Sequence, residues 1–454
     1  MSLIKYLRQP VLIVFALIYM LNVFTPFSRI LIPLSTFLLI IMVLQTLPFA
    51  SSASKSISML LFLLGGVFLY LNEASYYNYL EALSSNTGLV VLFIVLPLLS
   101  FPLYYDDYEN TLKSLSLKYI NGPVRFGNIS AFLTFFLCSI LNIGAFAIIY
   151  ELFKQTKEFT KSQKVLWNSM LRGNFAAIFW SPNYVGLAAI IHTLNVSWVS
   201  ILPAGLLIAG IILLSNSILI LLQTKKNNNN TIHDYNSSAI PLEKDKIRNL
   251  LFIFLGLISL VAILNSFTSL EILEIIPLVA LFFPFVLAVF QKKLPIYKKL
   301  LHKYYFDKLL KINNEVLIFA AAGFFGKSLE ISGIGAMVPS LLRIENIHQP
   351  AIAIFTIIFI VSLLAFVGVH PIVTTTTIGT TISAGSLGIS LTAYTFVLIA
   401  AFGIAVMVSP VSGTTLVISG ITKHSSFEMG PRLNKFYALG MAVFLAFFIP
   451  IVIG

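Results

Sequence analysis

Two short stretches carry residue types able to hold a small ion inside a membrane: Trp180-Ser181-Pro182-Asn183, and the run Met407 to Gly420, MVSPVSGTTLVISG. Each joins a Ser-Pro pair to hydroxyl or amide side chains, Ser181 and Asn183 in the first, Ser409, Ser412, Thr414 and Thr415 in the second. Proline lacks a backbone donor and clashes with the preceding turn, so a helix breaks there. In hydrocarbon the freed carbonyls are costly unless protein, water or a ligand satisfies them. The chemistry on offer is ligation. Hydroxyls, amides and half-helix N-termini suit an anion, and freed carbonyls suit a cation such as Na⁺. Serine and threonine also re-satisfy backbone at proline kinks with no ligand involved, so either break alone carries little; two in corresponding places carry more.

The elements that position these breaks are membrane helices. Of 454 residues, 58% are hydrophobic and 10% charged, with a mean hydropathy of +0.94. A water-facing surface needs far more charge, so the expected fold class is an all-α polytopic membrane protein. The net charge of +12 comes from short basic clusters between apolar runs, which is the positive-inside pattern and not a nucleic-acid surface. The single Cys138 excludes an internal disulfide and a cysteine metal site. Apolar runs of spanning length fall at about 10–27, 30–49, 56–72, 88–105, 165–191, 198–222, 249–266, 272–291, 313–341, 391–421 and 434–453, eleven in all. The first lacks a small-residue cleavage site and reads as a helix, not a removable signal. Loop charges put the N-terminus in the cytoplasm and the C-terminus outside a cell membrane. Of 29 Lys and Arg, 25 then lie inside, with Arg29, Arg172, Lys327 and Arg343 as exceptions.

Two more apolar stretches begin and end on one side. Residues 126–153 lie between Arg125 and a lysine cluster, with Ser139, Asn142 and Gly144 as turn residues at the centre, and read as a re-entrant hairpin from inside. Residues 350–385, centred on Gly368-Val-His370-Pro371, read as a second hairpin from outside. Ser139 and Asn142 at the first tip, with His370, Thr374 and Thr375 at the second, join the candidate binding set. Asn142 to Ser181 is 39 residues, as is His370 to Ser409, and a shift of 228 lays Ser181-Pro182 on Ser409-Pro410. An inverted repeat with broken helices in matching places points to a secondary transporter. The chain then divides into N-terminal scaffold helices (1–87), repeat 1 (88–223, hairpin 126–153, broken helix 165–191), a cytoplasmic linker (224–248), scaffold helices with a basic segment (249–312), and repeat 2 (313–454, hairpin 350–385, broken helix 391–421). The basic segment, Gln291 to Lys311, has seven lysines among Leu, Tyr and Phe and reads as an amphipathic stretch on anionic membrane lipids.

With SPNYVG at Ser181–Gly186, SPVSGTTLVISG at Ser409–Gly420, and a hairpin before each break, the chain resembles the ion transporter superfamily, and within it is similar to the divalent anion/sodium symporter family. Those symporters carry Ser-Asn-Thr at both tips; here the first tip has Ser139 and Asn142 without that tripeptide, and the second has His370-Pro371 followed by Thr374 to Thr377. The resemblance implies elevator-type alternating access, Na⁺ as a candidate coupling ion and a homodimer. Lys327 and Glu330, three residues apart on one helix face, read as a pair near the middle of a span and as coupling candidates. No phosphate-cradling loop, metal-ligand spacing or nucleophile–base pair occurs, so an enzyme or a cofactor is not expected. The expected function is secondary active transport of a small anion, a carboxylate among the candidates, coupled to Na⁺ or H⁺. The alternative is an envelope glycolipid or polysaccharide polymerase, or a flippase.

Overall fold

The computed structural model describes residues 2–106, 108, 111, 120, 122–154, 156–226, 244–333, 349–366 and 369–454. Among them no strand occurs, and the fold is all-α. The helices in chain order are α1 (Ser2–Phe24), α2 (Ser28–Thr46), α3 (Ser52–Leu71), α4 (Tyr76–Ser84), α5 (Thr87–Val95), α6 (Pro123–Leu141), α7 (Ala145–Phe153), α8 (Lys157–Ile178), α9 (Val185–Thr193) and α10 (Trp198–Lys226). They continue with α11 (Lys244–Phe267), α12 (Ile272–Phe290), α13 (Leu294–Lys303), α14 (Asn313–Ile331), α15 (Pro350–Phe366), α16 (Pro371–Thr381), α17 (Leu391–Val408), α18 (Gly413–Thr422) and α19 (Leu433–Val452). A 3-10 run, Leu96–Tyr104, extends α5.

Nine helices among the described residues are long and apolar enough to cross a membrane, or ten if α13 and α14, bent by 57° across their junction, make one span. The sequence suggests eleven. The nine include Pro123–Phe153, read above as the first hairpin; of the eleven, the apolar part of α1, Arg8–Phe24, is short, α8 opens with the polar run KEFTKSQK, and the run from 313 counts only within the bent pair. Large apolar side chains such as Phe37, Leu214, Phe252 and Phe447 point outward from the folded chain, where lipid covers them. Most of the linker (227–243), the end of the span read at 313–341 together with Arg343, and Gly368 lie outside the described residues.

Two bodies emerge from the packing. The first is a frame in which α14 packs on α2, α3, α4 and α5, and α12 packs on α5 and its 3-10 extension. Between the apolar runs 56–72 and 88–105 lies α4, started by a reciprocal cap between Ser75 and Asn78. The second body is built from α6–α10 and α15–α19. In it α6 and α7 double back: Phe126 near the start of α6 meets Phe153 at the end of α7 edge to face, with ring centroids 5.5 Å apart. Asn142 makes the turn at a φ of 52°, a region asparagine enters more readily than most residues. Helix α6 then runs alongside α8 in the same direction, with Gly127 beside Val165 and Ser169, and Gly173 against Ala131. A Cβ on Gly173 would sit 2.3 Å from the Ala131 carbonyl oxygen, so only glycine permits this approach.

The second half repeats the arrangement. Ala365 near the end of α15 meets Ser409 at the end of α17, while Ile378 late in α16 accepts from the Tyr394 hydroxyl, near the start of α17, at 3.0 Å. Helix α16 therefore runs back along α17, opposite in direction to α15. The two broken helices are antiparallel: Trp167 on α8 packs against His424 beyond α18 at 4.5 Å between rings, Phe175 packs on Gly403, and Gly186 on Phe402.

Candidate transport site

At the first break, helix α8 ends at Ile178 and α9 restarts at Val185. The buried Ser181 hydroxyl donates to the Ser139 carbonyl on α6 at 2.9 Å and accepts from the Asn183 N–H at 3.3 Å. Asn183 Nδ2 donates to the Ile140 carbonyl. Together these contacts satisfy carbonyls that the end of α6 would otherwise leave bare, the requirement set by a helix terminus at membrane depth. Ser139 Oγ turns back to the Phe136 carbonyl at 2.6 Å, and Asn142 Oδ1 accepts from the Ile143 N–H at 2.7 Å. Ser139, Ser181 and Asn183 thus form one cluster, with Asn142 at the turn that follows Ser139 and Ile140.

At the second break the pattern recurs. The Ser409 hydroxyl donates to the Ala365 carbonyl on α15 at 2.6 Å and accepts from the Val411 N–H at 3.3 Å. Ser412 caps α18, accepting from the Thr415 N–H at 3.2 Å, and its hydroxyl donates to the Val406 carbonyl at 2.7 Å. Thr415 Oγ1 donates to the Ser409 carbonyl at 2.7 Å, and Thr414 is buried beside it. The first hairpin tip touches this second break: a Cβ added to Gly413 would lie 3.5 Å from Ile143 Cδ1. The tip of repeat 1 therefore abuts the N-terminus of α18.

Other expected residues stand apart. His370 caps α16, its Nδ1 accepting from the Ile372 N–H at 3.3 Å, and its ring meets Phe319 of the frame at 5.3 Å. Thr375 bonds back to the Pro371 carbonyl at 2.9 Å, whereas Thr374 is buried with an unpartnered hydroxyl. Lys327 and Glu330 do pair, at 2.9 Å, and Lys327 also reaches Glu81 of α4 at 3.1 Å. Their expected mid-span position is corrected. Helix α14 starts at Asn313 as expected but ends at Ile331, so the pair occupies its last turns, with the Glu330 side chain half exposed.

Sequence reading missed two groups. Asn434, fully buried at the start of α19, donates to the Met429 carbonyl at 3.2 Å and leaves Oδ1 unpartnered; the signal was an amide inside an apolar helix. The pair formed by His192 at the end of α9 and Glu271 ahead of α12 gave no signal, because the two are 79 residues apart. Buried acceptor atoms without a donor, Asn183 Oδ1 and Asn434 Oδ1, are suited to a cation or to a ligand N–H or O–H.

A family model described as the Tripartite ATP-independent periplasmic transporter, DctM component, matches residues 177–451, more than half of the chain. The chain belongs to the DctM family. The match begins at the first break and runs through the second hairpin, the second break and α19. No curated protein sequence matches. Among solved structures the chain is similar to the YdaH transporter of Alcanivorax borkumensis, with a TM-score of 0.45 and 12% identity over 87% of this chain and 97% of that one. A DctM-family chain is a multi-pass membrane transporter and not an enzyme. The family is thus a different one from the divalent anion/sodium symporters whose hairpin-and-break pattern the sequence resembles, in keeping with tips that lack Ser-Asn-Thr.

Proposed function

We propose that this DctM-family protein is a secondary active transporter of the cell membrane that carries a small anion, such as a carboxylate, by sliding the body α6–α10 with α15–α19 against the frame. The observation that carries this reading is the matched closure of the two breaks: Ser181 on Ser139 and Ser409 on Ala365, in two halves running in opposite directions. The first hairpin tip stands against the N-terminus of α18, and the N–H groups of that helix supply the partial positive charge an anion needs. Ser181, Asn183, Ser409, Ser412, Thr414 and Thr415, with Ser139 and Asn142 at the first tip, form the binding set; His370, Thr374 and Thr375 of the second hairpin stand apart from it and are left out, His370 being taken up as the cap of α16. Na⁺ is favoured over H⁺ as the coupling ion, because Asn183 Oδ1 is a buried oxygen acceptor with no donor and no carboxylate stands at the breaks among the described residues. Lys327 and Glu330, at the end of a frame helix, are assigned to holding α4 and not to coupling. As a family member the chain would act with the further components that the word tripartite describes, and with the N-terminus in the cytoplasm. Uptake of labelled C4 and smaller carboxylates into proteoliposomes, with Na⁺ or pH gradients imposed separately, tests the reading. Flux that follows the Na⁺ gradient and falls at least tenfold in Asn183→Ala supports it. Flux that follows only the pH gradient overturns the Na⁺ assignment, and flux indifferent to both overturns secondary transport.

A further inference from the structure

We propose that His192 and Glu271 form a latch between the two bodies, which must open before the sliding body can move; this rests on the sliding mechanism above. His192 lies in the last turn of α9, the far half of the first broken helix, and Glu271 is the N-cap residue of the frame helix α12. Imidazole Nδ1 and carboxylate Oε2 are in direct contact. The other cross-element pairs near the frame, Lys293 with Asp106 and Lys327 with Glu81, tie frame helices to one another, and His424 with Glu428 stays within the sliding body. His192 with Glu271 crosses the boundary. Beside it Asn265 Oδ1, at the end of α11, accepts from Ser197 Oγ at 2.8 Å and from the Val199 N–H at 3.2 Å, so the start of α10 is held on the same rim.

The surroundings make the contact sensitive to charge. On the frame side the titratable groups facing it are Glu271 and Glu274 of α12, the second accepting from the Glu271 N–H at 2.9 Å, and Tyr19 of α1, which approaches the Leu273 carbonyl. On the sliding side α16 packs on α9 through Gly379 and Thr193 and brings no titratable side chain, and α17 brings Tyr394, whose hydroxyl is taken up by the Ile378 carbonyl; on the frame side α5 brings none. Two carboxyl groups thus face one imidazole. Both partners are more than one third exposed, so the pair adds little to folding. A small bias suffices to shift a two-position equilibrium several-fold.

The test is a distance measurement in the full-length protein, reconstituted in vesicles, with spin labels at Asn195→Cys on the sliding body and Tyr77→Cys on the frame; the buried Cys138 is left in place. Pulsed spectra are recorded at about pH 5.5 and about pH 8, spanning the range in which imidazoles change charge. The latch requires a second distance that is several-fold more populated at the higher pH in the parent protein. It also requires that His192→Gln and Glu271→Gln populate this distance at both pH values, and that the exchange of partners, His192→Glu with Glu271→His, restores the pH response. A second distance whose population ignores pH and both single variants overturns the latch while leaving sliding intact. A single distance in every variant and condition overturns the sliding mechanism and the latch with it.

Discussion

The Ser181 and Ser409 hydroxyls, buried at the two breaks, donate to carbonyls of the hairpin helices beside them, Ser139 at 2.9 Å and Ala365 at 2.6 Å. Removing either leaves a carbonyl without a partner where water does not reach. Ser181→Ala and Ser409→Ala are each expected to cost about 1–3 kcal/mol, read as a lowered thermal midpoint in detergent. Unchanged midpoints for both would mean that the breaks are satisfied some other way.

Gly173 permits the closest approach between α6 and α8. Valine there would drive a Cβ into the Ala131 carbonyl oxygen, a backbone atom that cannot swing aside, so Gly173→Val is expected to destabilise by about 1–3 kcal/mol or more and to reduce the folded yield. Gly210 is the control: nothing lies within 4 Å of its would-be Cβ, and Gly210→Ala should be neutral or slightly stabilising on helix propensity.

Arg172 is buried, donates to Asn216 Oδ1 at 3.1 Å and lies 4.4 Å over the Tyr437 ring, with no carboxylate bonded to it among the described residues. Breaking one partner leaves a buried charge short of acceptors, whereas removing the charge does not. Asn216→Leu should therefore cost more than Arg172→Met, by about 1.5–3 kcal/mol for a lost hydrogen bond to a charged group. Equal losses by calorimetry would contradict this account.

Glu271 is held below the ordinary carboxylate range, first by its hydrogen bond with His192, against partial burial, with the charge of His192 adding to the effect. A carboxyl group depressed in the folded state stabilises above its unfolded value and loses that stabilisation as pH falls through its folded one. The difference in thermal midpoint between the parent and Glu271→Gln should accordingly shrink as pH is lowered through about 4. A difference that widens on going below about pH 4 would reject the assignment.

The orientation can be read directly. With the N-terminus cytoplasmic, Ser425→Cys beyond α18 should react with an impermeant maleimide only after the membrane is opened, and Tyr77→Cys on α4 should react in intact cells. The reverse pattern would place the two breaks the other way up in the bilayer.

Legibility followed how local the physics was. The breaks at Ser181-Pro182 and Ser409-Pro410 were readable because a proline fails to donate wherever it stands, and the turn at Asn142 because few residues accept its backbone geometry. The apolar runs marked most helices for the same reason. Depth was not readable: Lys327 and Glu330 sit in a span by residue count, yet α14 ends at Ile331, which moves the pair to its edge, next to Glu81 on α4.

By itself, then, the sequence determined an all-α membrane chain with two hairpins and two proline breaks in a repeating order, since hydropathy, backbone donors and turn chemistry act within a few residues. Only the tertiary structure decided which of those features meet. It set Ile143 of the first tip against Gly413 of the second break, closed each break on its own hairpin carbonyl, turned His370 into a helix cap against Phe319, and brought His192 to Glu271 across 79 residues. Such meetings depend on how helices cross and how closely glycines let them approach, and no local pattern of residues encodes that.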